Sequence, residues 1–128
     1  MKKLQNDLLG NKYTEVSHEK EFQFNAPHTF IVKRAGEHKW PEPINTTGIN
    51  DLAKIHFQEG PIKENGVNGV CNEDLIAMVL CRLEHFQNSP YGCRENALAI
   101  TKLEEAMLWL RKRTLGRDQR GVEGTSEV

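Results

Sequence analysis

The chain has 128 residues, 38% of them apolar and 27% charged, which is enough for one modest globular domain. Its formal net charge of −1, from 17 basic and 18 acidic side chains, argues against a general nucleic-acid-binding protein, because such proteins carry a basic excess. No apolar run approaches the roughly 18 residues of a membrane span and MKKLQNDLLG lacks the apolar core of a signal peptide, so we expect a cytosolic protein.

The N-terminal part of the sequence predicts strands that follow a loosely held arm. Residues 1–20 are polar and show no periodicity, so we expect the arm there. EFQFNAPHTFIVKRAG (21–36) is rich in aromatic and β-branched residues, and LAKIHFQ (52–58) alternates apolar with polar residues. Both patterns predict strands. Proline and glycine in WPEPINTTG (40–48) and EGPIKENGVNGV (59–70) predict turns and loops.

The rest of the sequence predicts two helices. Asn72 is a suitable N-cap, and the residues after it carry apolar side chains at helical spacing as far as Phe86. NSPYGC interrupts the pattern, and a second helix is expected from about Arg94 to Thr114, with Gly116 as the residue that ends it. A connection this short predicts an antiparallel hairpin.

These elements predict an α+β fold, with a small N-terminal antiparallel β region followed by a long antiparallel two-helix hairpin. We expect residues 1–70 to form the β-rich region with its flexible arm and loop, and residues 71–128 to form the hairpin with a basic, glycine-containing tail. A core of this size is modest, so assembly as an oligomer is also expected.

Basic residues gather where the second helix is expected to end. RKRTLGRDQR, residues 111–120, carries a net charge of +4, which leaves −5 for the rest of the chain. Cations at a helix C-terminus gain about 0.3–1 kcal/mol each, which can account for one or two of them but not for Arg117 and Arg120 beyond the expected helix. Arginines beside glycines resemble a phosphate clamp, because a guanidinium group can bind two phosphate oxygens at once. The alternative is that these residues are simply a run of charged side chains exposed to solvent.

Two further residues are candidates for binding a nucleobase. Phe86 ends the first helix and can stack on a base, although an aromatic residue there more often closes the core. Asn96 falls on the apolar stripe of the second helix and can pair with the edge of an adenine. The alternative is that Asn96 caps the helix start or bonds to the hairpin loop.

The hairpin geometry separates these candidates. Arg113 follows Asn96 by 17 positions, about 25 Å at the helical rise per residue. One chain therefore cannot bring Phe86 and its arginines onto one mononucleotide-sized ligand, whereas two antiparallel chains can. If these residues share a ligand, the protein is at least a dimer with two composite sites.

Other constellations give weaker signals. Cys81 and His85 lie on one helix face as a possible metal pair, but two ligands do not make a zinc site, and we predict no metal and no cofactor. The three cysteines lack a CxxC spacing and are expected to be reduced thiols. No nucleophile has the sequence context of a catalytic site, so we do not predict an enzyme.

The second half of the chain resembles a known phage family. IHFQEGPIKENGVNGVCNEDLIAMVLCRLEHFQ together with RENALAITKLEEAMLWLRKRTLGRDQRGVEGT is similar to the first type of Thoeris anti-defence sponge. The segment ENALAITKLEEAMLW also resembles the helical hairpin of the anti-CBASS cyclic-nucleotide sponges. The similarity extends over about residues 52–125.

The resemblance implies a function without catalysis. Such proteins sequester nucleotide signals of bacterial immunity in the host cytoplasm, here a glycocyclic ADP-ribose made from NAD by a TIR-domain enzyme, and some also bind cyclic trinucleotides. It implies a homodimer or a larger homo-oligomer such as a hexamer, with no membrane or long nucleic acid as partner. The implied ligand contacts are Phe86 for stacking, Asn96 as a polar contact, Arg113 and Arg117 on the pyrophosphate, Gly116 and Gly121 in the closing tail, and Arg94 with Lys63 at a second site.

Two other classes of function compete with the sponge. A nucleotide hydrolase would use the arginines to stabilise a phosphoryl transition state, but the sequence offers no base or metal cluster for it. An adaptor would bind RNA or a protein partner through the basic patch, and its binding would depend strongly on salt.

Overall fold

The computed structural model describes residues 1–36 and 51–128, so the predicted loop WPEPINTTG lies outside the described residues. The chain forms two compact units, residues 1–60 and residues 61–128. The described elements are, in chain order, β1 (Lys2–Lys3), β2 (Thr14–His18), β3 (Thr29–Arg34), β4 (Asp51–His56), α1 (Ile62–Asn65), α2 (Asn72–Gln87) and α3 (Arg94–Gln119). The predicted α+β class is confirmed.

The first unit is a single antiparallel sheet in the order β1-β2-β3-β4. Its register aligns His18, Phe30 and Ile55 across three strands on one face. The Phe30 ring meets the Phe57 ring edge-on, with 5.5 Å between centroids. Among the described residues of this unit, His18, His28 and Ala35 are buried, and the Phe30 and Phe57 rings are half-buried, with Phe30 beside His18.

The prediction of a loosely held arm over residues 1–20 was wrong, because β1 and β2 lie within it. Their charged side chains have partners on neighbouring strands. Glu15 on β2 pairs with Lys3 at 3.5 Å and with Lys33 at 3.3 Å. Local sequence patterns do not reveal pairing with residues this distant in the chain, so the segment was predicted to be unstructured.

The segment between β2 and β3 was also predicted wrongly, since its alternating phenylalanines suggested a strand. It forms turns in which Phe24 and Asn25 have positive φ values of 55° and 71°. The Glu19 carboxylate closes this loop by accepting backbone N–H groups from His28 at 3.2 Å and Thr29 at 2.8 Å. Burial raises the pKa of the Glu19 carboxyl, but these backbone donors lower it by more, so the pKa lies below its ordinary value of 4.5.

Replacing Glu19 by glutamine is expected to lower the free energy of unfolding of the sheet unit by about 1–3 kcal/mol at neutral pH, because charge-assisted hydrogen bonds are lost. A carboxyl whose folded pKa is lowered stabilises the fold above its unfolded pKa and loses that contribution as pH falls through the folded pKa. The difference in melting temperature between wild type and Glu19→Gln should therefore shrink as pH falls below 4.5 and vanish once pH is below the lowered pKa of the folded state. Exposed Glu21→Gln is the control, and an equal effect of both would contradict the role of Glu19.

The helix α2 begins at Asn72, one residue earlier than the predicted N-cap at Asn72 implies. Cys71 occupies the N-cap position, and its backbone N–H donates to the Asp74 carboxylate at 2.8 Å. The predicted loop at residues 59–70 also contains the short helix α1. The glycines and the proline around α1 favoured the prediction of a loop. The helix α2 otherwise runs to Gln87, close to its predicted end at Phe86.

The predicted end of the second helix at Gly116 was wrong. The helix α3 continues to Gln119, and Gly121, with a φ of 73°, follows the C-cap residue Arg120. The Val122 N–H closes the end by donating to the Arg117 carbonyl at 3.0 Å. Glycine inside a helix costs only about 1 kcal/mol relative to alanine, so Gly116 does not stop α3.

The two long helices form the predicted hairpin but bury little. The Gln87 side chain ties the loop to the start of α3 through Cys93, with distances of 2.8 and 2.9 Å to its backbone N and O. No residue of α2 or α3 is buried, and the side chains of Leu108 and Trp109 are 71% and 61% exposed. No helix among the described residues is long and apolar enough to cross a membrane.

The unequal lengths of the helices leave one end of α3 without α2 beside it. The helix α3 has 26 residues and α2 has 16, so roughly the last ten residues of α3 extend beyond the start of α2. This overhanging segment carries the basic cluster that the sequence analysis singled out.

Candidate functional site

An open groove lies on the overhanging end of α3. It has a volume of about 400 Å³, and no carboxylate of the described residues lines it. Its lining residues recur three or four positions apart, which puts them on one helix face. They are Trp109, Lys112, Arg113, Gly116, Arg117 and Arg120. An anion in this groove would meet four cationic side chains at once.

The arginines of the groove differ in what they already bind. The Arg117 Nη2 atom donates to the carbonyls of Val122, Thr125 and Glu127 at 3.0, 3.1 and 2.9 Å. Arg120 donates from Nη1 to the Val128 carbonyl at 3.0 Å. Both therefore fix the tail that follows α3.

Arg113 is the arginine of the groove that is free to bind a ligand. Its side chain is exposed, and it makes no hydrogen bond or ion pair with any residue in the described ranges 1–36 and 51–128. Its planar fork can therefore meet a phosphate in two parallel bonds without first breaking a contact.

The tail after α3 is also attached to α1. The Lys63 N–H donates to the Gly124 carbonyl at 2.8 Å, and the Ser126 hydroxyl donates to the Glu64 carboxylate at 2.9 Å. Gly124 has a φ of 76°, and a Cβ there would lie 3.0 Å from the Lys63 Cγ atom. Lys63 is thus next to the glycine-containing tail, whose carbonyls also accept hydrogen bonds from Arg117.

The base-binding candidates lie at the opposite end of α3. Phe86 is 42% exposed, and the Arg82 guanidinium lies 5.5 Å from its ring centroid. Asn96 is half-buried, and its side chain makes no hydrogen bond to the part of the chain that the structure describes. The expected alternative role of Asn96 at the hairpin loop falls to Gln87 instead.

The structure therefore brings some predicted site residues together and separates others. Arg113, Gly116 and Arg117 line one groove, and Gly121 follows at the end of the same helix. The other candidates on the hairpin, Phe86, Asn96 and Arg94, lie about 25 Å away, around the hairpin loop.

The predicted ligand contacts left out three residues of the groove, although Lys112 and Arg120 belong to the basic cluster recognised in the sequence. Trp109, Lys112 and Arg120 line it with the predicted residues. The signal that could have found them is the helical spacing from position 109 to position 120. That spacing is recognisable only if α3 continues through Gly116, and the expected helix end there concealed it.

No group in the hairpin has the features of an activated nucleophile or a metal centre. The Cys81 Sγ atom lies 3.7 Å from the His85 Nδ1 atom, but the described residues contain no cluster of three metal-binding side chains. Burial, together with Asp74 and Glu73, raises the pKa of the Cys71 thiol, which keeps it protonated.

The fold and the groove define a helical-hairpin protein with a cationic site at one helix end. Residues 50–115 match the family model described as Acb2/Tad1, hairpin domain, and the chain belongs to this family. The chain is similar to the protein Thoeris anti-defense 1 of Bacillus phage SBSphiJ7, with 50% identity over 141 aligned positions that cover 99% of each chain. The resemblance to phage Thoeris anti-defence proteins is thereby confirmed.

Proposed function

We propose that this protein captures a small nucleotide signal and holds it intact, as a non-catalytic sponge. The observation that carries the proposal is the groove on α3, which presents four cations and an exposed indole without a carboxylate. The name of the similar phage protein, Thoeris anti-defense 1, supplies the biological setting. The ligand is then a glycocyclic ADP-ribose from a TIR-domain enzyme, captured in the host bacterial cytoplasm.

The groove end of α3 holds the pyrophosphate in this proposal. Arg113 binds it directly with its free fork, and Arg117 adds charge while it fixes the tail. Gly116 and Gly121 leave room for the ligand to approach the backbone.

The loop end of the hairpin holds the base. Phe86 stacks on the adenine with its exposed ring, and the unpaired Asn96 amide bonds to the edge of the base. Nanomolar affinity corresponds to about 12 kcal/mol, a scale that one stack and several charge-assisted bonds to two phosphates can reach in a preorganised site.

Two copies of the chain are needed to complete such a site. Phe86 and Arg113 lie at opposite ends of one hairpin, so the base-binding end of one copy must meet the groove of another. Both long helices carry apolar side chains that α2–α3 packing leaves exposed, including Met78, Leu98 and Leu108. An antiparallel dimer, alone or within a hexamer, would cover this surface and form two composite sites.

A second class of site is proposed for cyclic trinucleotides. Arg94 begins α3 with an exposed side chain, and Lys63 lies exposed on α1 beside the tail. Arg94 lies at the loop end of the hairpin and Lys63 beside the tail at the groove end, so the two would offer cations to one cyclic phosphodiester from different copies of the chain.

Capture followed by release tests the proposed function. The protein is incubated with the products of a TIR-domain NADase, washed and then heat-denatured, and the released nucleotides are identified by mass spectrometry. Release of an intact cyclic ADP-ribose isomer is the expected result.

Other results of this experiment would contradict the sponge. Recovery of a cleaved or rearranged nucleotide would make the protein an enzyme. No captured nucleotide, together with salt-sensitive binding of RNA, would favour the adaptor instead.

A further inference from the structure

Trp109 lines the groove beside the basic residues, and the packing of the described residues does not explain its position. Its side chain is 61% exposed, which is unusual for tryptophan. The Lys112 ammonium lies 5.1 Å from its ring centroid, and the indole lines the groove. An exposed indole ring beside cations is suited to stacking on a flat, electron-poor base.

Gly116 gives a second, independent observation at the same groove. A Cβ added to Gly116 would meet no atom within 4 Å outside its own stretch of helix. Its φ is not among the positive values of the chain, so the helical backbone does not require glycine either. Alanine would stabilise α3 in the free chain, because it favours the helix more than glycine does. The described residues therefore leave this space open to a ligand.

The spacing of the groove residues fits one nucleotide. Trp109 and Arg113 are neighbours one helical turn apart, and Arg120 lies two turns further along α3. Gly116 lies between the indole and Arg120. A base on the indole would therefore place its sugar and phosphates over the notch at Gly116, within reach of the arginine forks.

We propose that Trp109 is a base-contacting residue, which stacks on the nucleobase of a ligand whose phosphates lie over Gly116 between Arg113 and Arg120. This contact rests on the proposed nucleotide capture and adds a residue to it. The indole covers one face of the base, which leaves the other face for Phe86 of a second copy. The ligand class that this groove fits is a nucleotide with a pyrophosphate or a phosphodiester.

The affinity of Trp109 variants for the captured cyclic ADP-ribose isomer tests the stack. Trp109→Leu should weaken binding by roughly 5- to 150-fold, whereas Trp109→Phe should stay close to wild type. Thr101→Ala, a change at an exposed position of α3 outside the groove, is the control. In a Trp40→Phe background, the ligand should quench the remaining fluorescence of Trp109, and inorganic pyrophosphate should not.

The outcomes separate this contact from the proposed function. If wild type captures the nucleotide and Trp109→Leu binds it equally well, the stack is wrong and the sponge stands. If light scattering gives a smaller molar mass for Trp109→Leu than for wild type, Trp109 is a contact between copies and the proposed stacking is contradicted. If wild type captures nothing, the proposed function and this contact both fail.

Gly116→Ala gives an independent test with two readouts of opposite sign. The melting temperature should rise by roughly 4–8 °C, because alanine favours the helix, while affinity should fall at least about tenfold, because the methyl group fills the notch. Thr101→Ala, a helix-favouring change at an exposed position of α3, should raise the melting temperature without affecting binding. Unchanged affinity of Gly116→Ala would show that no ligand occupies the notch.

Discussion

Phe86→Ala is expected to abolish nucleotide capture while the hairpin stays folded. The Phe86 ring is 42% exposed, so its removal costs little of the core, but a lost stack weakens binding by up to roughly 100-fold. That loss is enough for the ligand to wash off. Asn96→Ala should also weaken binding, because it removes the proposed hydrogen bond to the edge of the base. It should leave the fold intact, because the Asn96 amide makes no hydrogen bond within the described residues. Both effects are measured by calorimetry with the captured isomer.

A matched control keeps this result specific to the ring. Val79→Ala removes a side chain of similar exposure, 47%, from the same side of α2 one heptad earlier. It should bind as wild type does, and circular dichroism should show the same helix content for all three variants. Wild-type affinity in both Phe86→Ala and Asn96→Ala would contradict the placement of the base at the loop end.

The hairpin could be predicted from sequence because its signals are local. The run after Asn72 repeats apolar residues over four turns, and α3 repeats them over a longer stretch, so length and period were sufficient. The strands β1 and β2 had no such signal. Their stability depends on partners such as Lys33 opposite Glu15, which are distant in sequence.

The site was predictable in composition but not in geometry. The cluster of arginines and the isolated Asn96 were apparent from the sequence, whereas the groove depends on α3 continuing through Gly116. Because the second helix was predicted to end before Gly116, the spacing that includes Trp109 was not recognised and Arg117 was placed in a loop. Arg117 instead lies in the last turn of α3, where the position of the tail determines its partners.

Because Arg117 binds the tail and Arg113 has no described partner, only a substitution of Arg113 tests binding of the pyrophosphate by itself. Arg117→Ala would remove a cation and release the tail carbonyls together, so weaker binding would have two explanations. Arg113 has no described partner within the chain, and its removal changes only what the ligand can contact.

Arg113→Ala is therefore expected to lower nucleotide affinity by roughly 10- to 150-fold without a change in melting temperature, because charge-assisted bonds to the pyrophosphate are lost. Arg113→Lys should recover only part of the affinity, since an ammonium group lacks the fork. Arg111→Ala removes the same charge two residues away, outside the groove, and should bind nearly as wild type does. Equal losses in Arg111→Ala and Arg113→Ala would indicate diffuse attraction by the patch and contradict the clamp.

Mixing two defective variants then tests whether the site is shared between copies. If Phe86 of one copy and Arg113 of another hold one ligand, a mixed dimer of Phe86→Ala and Arg113→Ala contains one intact site and one doubly defective site. Co-refolded mixtures should regain about a quarter of wild-type capture, since half of the dimers are mixed and each has one of two sites. Trp109→Leu should likewise be rescued by Phe86→Ala but not by Arg113→Ala, because Trp109 and Arg113 lie on the same groove. No recovery in the first mixture would confine the site to a single hairpin and exclude Phe86 from it.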